Sequence, residues 1–251
     1  MSPKARTSVI ICGPIDSIPI KTGARAGLSR HGFTLLEILI AMFILTIVVS
    51  LVFASFDGIL GPSEAVNAAS DTLEMGNACL DRISRDLKAL HIAQAPRYTP
   101  PGMDDKPHMH RFEAEEQMVG GENFSRLRFT SLAHLPLNQE AMEGIAEIVY
   151  YVQDDREQGF VLRRSDKLYP YPEFEESSDD PLLCEQVRAF ELIFYDEKGR
   201  EQKNWNSELD DFDYATPRSV AVKLVVGTAT DSFTLTTEIA LPMHRYEPVK
   251  K

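Results

Sequence analysis

The sequence of 251 residues contains few cysteines and histidines, and its negative charges outnumber its positive ones. Three Cys and six His are too few and too scattered for a zinc framework, so no metal site is expected. The 26 Lys and Arg against 38 Asp and Glu give a net charge of −12. This balance argues against a nucleic-acid partner, because phosphate contacts need clustered cations. Nucleophile-elbow, phosphate-loop, H-E-x-x-H and dinucleotide motifs are missing as well, so neither an enzyme activity nor a cofactor is expected.

One long apolar run is present. Residues 33–56 read FTLLEILIAMFILTIVVSLVFASF and contain one charged residue, Glu37, and no Gly or Pro. A helix of this length extends about 36 Å at roughly 1.5 Å per residue, which exceeds the apolar thickness of a bilayer, about 30 Å. Helices of soluble proteins are rarely apolar on every face. The run therefore predicts a transmembrane helix over residues 33–56.

The flanks of the apolar run differ in charge. The cations before it are Lys4, Arg6, Lys21, Arg25 and Arg30. The charged residues that follow it are Asp57, Glu64, Asp71 and Glu74, and the first cation comes at Arg82. Because flanks rich in Lys and Arg stay in the cytoplasm, we expect a single-pass protein of the inner membrane. Its amino terminus is predicted in the cytoplasm and nearly everything after residue 57 in the periplasm.

A specific string opens the apolar run. Arg30-His31-Gly32-Phe33-Thr34-Leu35-Leu36-Glu37 resembles the processing site of type IV prepilins and type II secretion pseudopilins. The resemblance implies that residues 1–32 are a cytoplasmic leader, that a prepilin peptidase cuts between Gly32 and Phe33, and that Phe33 is then N-methylated. The remaining residues carry 21 Lys and Arg against 37 Asp and Glu, a net charge of −16. The leader is longer than family leaders often are, so it either carries an extension or translation starts later, at Leu28.

Glu37 is the unusual residue of the apolar run. A charged side chain in the membrane core costs about 2.5–3.5 kcal/mol on insertion scales, so a partner is expected. Phe33 and Glu37 lie four residues apart, on one face of a helix. The resemblance implies that Glu37 of one subunit pairs with the amino group of a neighbouring subunit, which would select one helix stagger. The alternative is a glutamate near the membrane edge that reaches water.

Residues 57–94 are predicted to form the periplasmic half of the helix. Gly58, Gly61 and Pro62 mark a weak point, either a hinge within one long helix or a break between two helices. Beyond it, spacings of 3 and 4 predict a core-facing stripe and a helix that ends near Gln94. The stripe consists of Leu73, Leu80, Ile83, Leu87 and Leu90, with Gly76 at one step. Charged residues of this stretch, including Asp86, are expected on the surface.

Residues 95–251 are predicted to form a β-rich periplasmic domain packed on the helix, an α+β layout. The Pro-rich residues 96–120, with Glu113, Glu115 and Glu116, predict a loop. Strands are predicted over 126–130, 145–152, 160–163, 187–195, 220–226 and 233–241, the second and third forming a hairpin.

Strings that follow the apolar run are similar to the J-type minor pseudopilins of type II secretion. They are Arg82–Leu87 on the predicted helix and, in the β-rich part, Ile148–Val152, Leu162–Arg164, Leu182–Val187, Phe190–Asp196, Trp205-Asn206, and Pro217 followed by Val220–Leu224. The resemblance implies a pilin-like fold and a structural subunit at the pseudopilus tip, which initiates the fibre and supports export of folded proteins across the outer membrane. It implies assembly with the I, K and X types and with the major pseudopilin. Two alternatives stay open: a minor pilin of a type IV pilus, serving adhesion, motility or DNA uptake, and a membrane-anchored periplasmic enzyme or binding protein.

Three further groups have two interpretations each. His108 and His110 suggest a metal site, but their loop has no second ligand pair. Cys79 and Cys184 either form a disulfide in an oxidising compartment or are two separately buried thiols. The third group is either a Ca²⁺ site or an ordinary solvated acidic loop. It consists of Glu208, Asp210, Asp211 and Asp213.

Overall fold

The computed structural model describes residues 32–102, 105–136, 143–156 and 158–245, and it describes residues 56–65 by their backbone only. Residues 1–31 of the expected leader, which include the third cysteine of the sequence, Cys12, lie outside the described residues, whereas Gly32 is described. The chain divides into two compact units, residues 1–57 and 58–251. Helix α1 (Leu35–Lys88) contributes residues to both units.

In the first unit, α1 is apolar and exposed. Leu35–Ser55 has a mean hydropathy of 2.8, and none of it is buried. It is the one segment in the described part of the chain that is long and apolar enough to cross a membrane. Thr46 Oγ1 donates a hydrogen bond to the carbonyl of Met42 at 2.8 Å, and Ser55 Oγ donates one to that of Leu51 at 2.8 Å. These hydroxyls are therefore satisfied within the helix, as a lipid environment requires.

The backbone of α1 is helical through Pro62, so one helix is present rather than two. The side chains at the predicted hinge lie outside the described residues, and the hinge stays a prediction. The helix ends at Lys88, so the predicted end near Gln94 is wrong. The chain leaves the helix because its next residues pair with a strand: the carbonyl of Ala89 accepts a hydrogen bond from the N–H of Leu132 at 2.9 Å.

The described part of the second unit contains two antiparallel sheets. In chain order the strands are β1 (Leu90–His91), β2 (Glu113–Val119), β3 (Glu122–Ser131), β4 (Ala146–Asp155), β5 (Gly159–Leu168), β6 (Leu182–Cys184), β7 (Val187–Tyr195), β8 (Glu201–Gln202), β9 (Trp205–Asn206), β10 (Ser219–Gly227) and β11 (Ser232–Ala240). Sheet one has the order β6-β5-β4-β3-β2-β9, with β1 paired to one end of β3. Sheet two has the order β11-β10-β7-β8. The predicted α+β class is therefore confirmed.

The six predicted strands are all present, as β3, β4, β5, β7, β10 and β11. The predicted hairpin is also confirmed, because β4 and β5 pair in continuous register from Ala146 and Leu168 to Asp155 and Gly159. The prediction of a loop throughout 96–120 is wrong, because residues 113–119 form β2 and pair with β3 across a turn at Gly120 and Gly121. Both glycines have positive φ, +58° and +93°, which glycine adopts readily. The alternation that signals a strand is weak here, since Ala114 is the buried residue of β2.

A single hydrophobic core joins α1 to both sheets. Leu80, Ile83, Leu87 and Leu90 are buried as predicted, but Leu73 is 38% exposed, so the stripe begins one step later than predicted. Gly76 lies where α1 packs tightly on sheet two: a Cβ at this position would lie 2.4 Å from Cδ1 of Leu235. Only glycine permits this spacing without displacing the side chain on β11.

Candidate functional site

The residues before α1 form an exposed segment with a defined helix start. Gly32, Phe33 and Thr34 precede the helix and are exposed. The N–H of Glu37 donates hydrogen bonds to Thr34 Oγ1 at 3.3 Å and to the Thr34 carbonyl at 3.0 Å. Thr34 therefore caps the helix, and Thr34 and Glu37 have the spacing of a capping box. Sequence reasoning missed this role, although the Thr-x-x-Glu string before an apolar run is its signature.

The surroundings of Gly32 are open. A Cβ built at Gly32 would meet nothing within 4 Å, and Phe33 is 77% exposed. Packing among the residues that the structure describes therefore does not require glycine at this position. A requirement for glycine would have to come from a partner that closes around the backbone here.

Glu37 lies in the first turn of α1 and is exposed. A negative charge in the first turn interacts favourably with the helix dipole. Its N–H is already bound to Thr34, which fixes the backbone of Glu37 one helical turn after Phe33. Phe33 precedes the helix by two residues, so its backbone nitrogen and the Glu37 side chain both belong to the amino-terminal end of α1 and the residues just before it.

At the other end of α1, a buried network of charges joins the helix to sheet one. Arg164 on β5 donates from Nε to Asp86 Oδ2 at 2.6 Å, and the hydroxyl of Tyr150 donates to the same oxygen at 2.5 Å. Arg82 also pairs with Asp86. Burial, followed by the nearby Asp86, raises the pKa of Tyr150 well above its usual range, so the hydroxyl stays a donor.

The expectation that Asp86 lies on the surface is wrong, since the residue is completely buried. Two arginines and a tyrosine hydroxyl satisfy a carboxylate that would be costly to bury alone. Arg164 was not predicted as a structural residue. Its position directly after the strand predicted over 160–163, next to Arg163, is the one weak sequence signal, and the observed β5 extends to Leu168 and includes it.

The structure brings Cys79 and Cys184 together as two buried free thiols. Cys184 Sγ donates to the carbonyl of Met75 at 3.8 Å, one turn before Cys79 on α1. A hydrogen bond with Cys184 is the main cause that raises the pKa of Cys79, and burial adds to it. Both cysteines are free thiols in the structure, and the pairing of the two as a disulfide stays a prediction.

His108 and His110 lie next to a histidine that sequence reasoning missed. The ring of His91 on β1 lies 4.8 Å from that of His110 between centroids, and His108 lies 5.6 Å from His110. Burial first, then His91 and His108, lower the pKa of His110 to about 4. Among the described residues, no three His, Cys, Asp or Glu side chains are placed to hold a metal ion.

The acidic group that suggested calcium is divided between two environments. Glu208 is buried and pairs with Arg245, whose Nη2 lies 2.8 Å from Glu208 Oε1. The guanidinium of Arg245 also covers the ring of Tyr98 at 3.4 Å. Asp210 and Asp211 lie in an exposed 3₁₀ turn, Asp210–Phe212. Glu208 therefore has a structural partner, which makes it a poor cation ligand.

Comparisons with known proteins identify the class of the chain. A family model described as "Type II secretion system (T2SS), protein J" matches residues 54–234, and the "Prokaryotic N-terminal methylation motif" matches residues 28–53. No curated protein matches the chain. Among solved structures, a type IV-like pilin from Thermus thermophilus is similar at 8% identity and a TM-score of 0.37, over 68% of this chain and 96% of that one. Since the protein J model covers more than half of the sequence, the chain belongs to the type II secretion system protein J family and is a minor pseudopilin of that system.

Proposed function

We propose that this minor pseudopilin assembles at the tip of the pseudopilus, initiates the fibre and thereby supports export of folded proteins across the outer membrane. Members of its family are structural subunits that assemble with other pseudopilins and are processed by a prepilin peptidase. The observation that carries the proposal is the order of three features along the chain. Gly32, which has free space around it, comes directly before the exposed apolar helix segment Leu35–Ser55, and residues 54–234 then match protein J.

Processing occurs between Gly32 and Phe33 in this proposal, and the new amino group of Phe33 is methylated. The open space around Gly32 and the exposure of Phe33 leave the backbone accessible to a peptidase. The methylation-motif match includes both residues. Helix α1 begins at Leu35, so cleavage removes the leader without interrupting the helix.

The proposed topology places residues 1–32 in the cytoplasm, residues 33–56 in the inner membrane, residues 57–94 as the periplasmic continuation and residues 95–251 as the periplasmic domain. It rests on the charge of the flanks, five cations against one anion before the apolar run. The exposed span Leu35–Ser55 supports the membrane part.

Glu37 sets the stagger of this subunit against its neighbour. An α-amino group has a pKa near 8, so that of a neighbouring Phe33 is largely cationic before methylation. A carboxylate in lipid without a partner is strongly unfavourable, which makes one axial offset between helices more stable than others. The proposed neighbours are the I, K and X types and the major pseudopilin, and the protein J match favours these over subunits of a type IV pilus.

The test is complementation of a strain that lacks this chain, with secretion of a folded substrate as the readout. Gly32→Val is expected to leave an uncleaved precursor in the membrane and to abolish secretion, because a branched side chain obstructs the peptidase. Gly27→Val makes the same change five residues earlier in the leader and should be processed and secrete normally. Normal secretion by an uncleaved Gly32→Val precursor would contradict the proposal. A phosphatase fused after Arg245 reports topology independently, since it is active only in the periplasm.

A further inference from the structure

We propose that Cys79 and Cys184 form a disulfide bond in the exported protein, an inference that rests on the proposed periplasmic location. The bond joins α1 to the connection between the two sheets. Cys184 is the last residue of β6 in sheet one, and β7 of sheet two begins at Val187. A covalent link at this position ties the helix to both sheets at once.

The geometry supports this pairing before any bond is made. Both side chains belong to the same buried core, with 2% of Cys79 and none of Cys184 exposed. Two contacts hold the connection on the helix turn that ends at Cys79: Cys184 Sγ donates to the Met75 carbonyl at 3.8 Å, and the N–H of Glu185 lies 3.4 Å from Met75 Sδ. These contacts hold Cys184 against the turn of α1 that carries Cys79, and the two thiols are hydrogen-bonded to each other.

Strand β6 is the segment that gains most from the bond. It pairs with β5 through only Leu162 with Cys184 and Arg163 with Leu182, and the register shifts between these pairs. Beyond it, Gln186 has a φ of +51°, an unfavourable angle for a side chain other than glycine. Hydrogen bonds also hold this segment on both sides, from the N–H of Arg164 to the Pro181 carbonyl at 3.1 Å and from the N–H of Gly227 to the Gln186 carbonyl at 2.9 Å. A covalent anchor at Cys184 adds a link to α1 that persists when these hydrogen bonds open.

The chemistry is a thiol–disulfide exchange with a protein disulfide oxidant of the periplasm. Before the core closes, the thiolate of Cys79 attacks the oxidant's disulfide, and one oxidant sulfur leaves as a thiolate. The thiolate of Cys184 then attacks the sulfur of Cys79 in the mixed disulfide, and the second oxidant sulfur leaves. Two electrons and two protons pass from the chain to the oxidant. Once folded, the bond is shielded from reductants because both residues are buried.

The experiment labels the free thiols of the full chain, purified from inner membranes, with a maleimide-linked polymer under denaturing conditions. The processed chain should take no label until it is reduced and two labels afterwards. Peptides containing Cys79 and Cys184 should be found linked, 2 Da lighter than their reduced sum. An unprocessed precursor that begins at Met1 still contains Cys12, so it takes one label more than the processed chain and can be told apart from it. Cys79→Ser and Cys184→Ser should each expose one reactive thiol.

The thermal midpoint gives a second readout. Reduction should lower the midpoint of the wild-type chain by roughly 10 °C, because the bond closes a loop of about 100 residues, whereas both serine variants should not respond to reductant. Two free thiols in the processed, exported chain would overturn the inference. If the chain stays unprocessed, the proposed location fails, and the pairing is then tested by refolding the chain in a glutathione redox buffer. Formation of the Cys79–Cys184 bond in that buffer supports the pairing, and its absence overturns the pairing.

Discussion

Arg164 and Asp86 are both completely buried, and Nε of the arginine lies 2.6 Å from Oδ2 of the aspartate. The pair joins β5 to α1, so it fixes the helix against sheet one with a directional contact. Arg164 Nη2 also donates to the carbonyl of Ala133 at 3.1 Å, which offsets part of the cost of removing the guanidinium from water. The apolar core alone would hold the helix with less directional specificity.

Breaking this pair should strongly destabilise the second unit. Asp86→Ala removes the carboxylate that Arg82 and Arg164 share and leaves Arg164 with the carboxylate of Asp166, so the free energy of unfolding should fall by about 3–5 kcal/mol. The measurement is urea unfolding of the detergent-solubilised chain, followed by the fluorescence of Trp205, which is buried and is the one tryptophan of the sequence. Arg200→Ala, in an exposed pair with Asp196, is the matched control and should cost less than about 1 kcal/mol. Equal urea midpoints for the two variants would disprove the structural role of Asp86.

Gly76→Val should destabilise the packing of α1 on sheet two. The added side chain would overlap Cδ1 of Leu235 and crowd Cγ2 of Val226, which lies 3.1 Å from a Cβ at this position. Overpacking of this kind costs about 1–3 kcal/mol. The control Ala78→Val introduces the same residue at an exposed position two residues later and should change the unfolding free energy little. Leu235→Ala should restore part of the loss when it is combined with Gly76→Val. If the double variant is no more stable than Gly76→Val alone, the overlap with Leu235 is not the cause of the destabilisation.

The histidine cluster should make stability sensitive to acid. The pKa of His110 falls from 6.5 to about 4 in the folded chain, through burial and then through His91 and His108. Between these two values the unfolded chain binds a proton that the folded chain does not, so stability is lost as the pH falls from about 6.5 towards 4. Urea midpoints at pH 7.5 and pH 5 measure this loss. His110→Asn should reduce the difference, whereas Met109→Ala, a change at an exposed neighbour that does not titrate, should retain it. An unchanged difference in the His110 variant would assign the acid sensitivity to other groups.

Glu37→Gln should separate membrane insertion from assembly. The neutral amide inserts into lipid at lower cost than the carboxylate, so the amount of processed chain in the membrane should be unchanged or higher. Crosslinking to neighbouring pseudopilins should fall about tenfold or more, because the attraction to the amino group is lost. Glu74→Gln, at an exposed position of the same helix, should crosslink as the wild type does. Unchanged crosslinking by Glu37→Gln would remove the proposed role in setting the stagger.

Local patterns were enough to predict much of this protein. The apolar run, the Gly32–Glu37 string and the alternation in β3, β4, β5, β7, β10 and β11 all depend on residues close together in sequence. Membrane insertion and strand formation respond to such local composition, since lipid and a pleated surface each select residues one segment at a time. The family assignment follows from the same local strings.

The remaining features required the tertiary structure, because each depends on residues far apart in the chain. Aspartate is usually a surface residue, and Asp86 can be buried because Tyr150 and Arg164 donate hydrogen bonds to its carboxylate from neighbouring strands. The helix ends at Lys88 because β3 offers the next residues a hydrogen-bonding edge, and not because of a local stop signal. Cys79 and Cys184 also meet only in the folded chain. The sequence by itself determined the apolar helix, the methylation motif and most strands, whereas packing between distant segments decided which charges are buried and which thiols are neighbours.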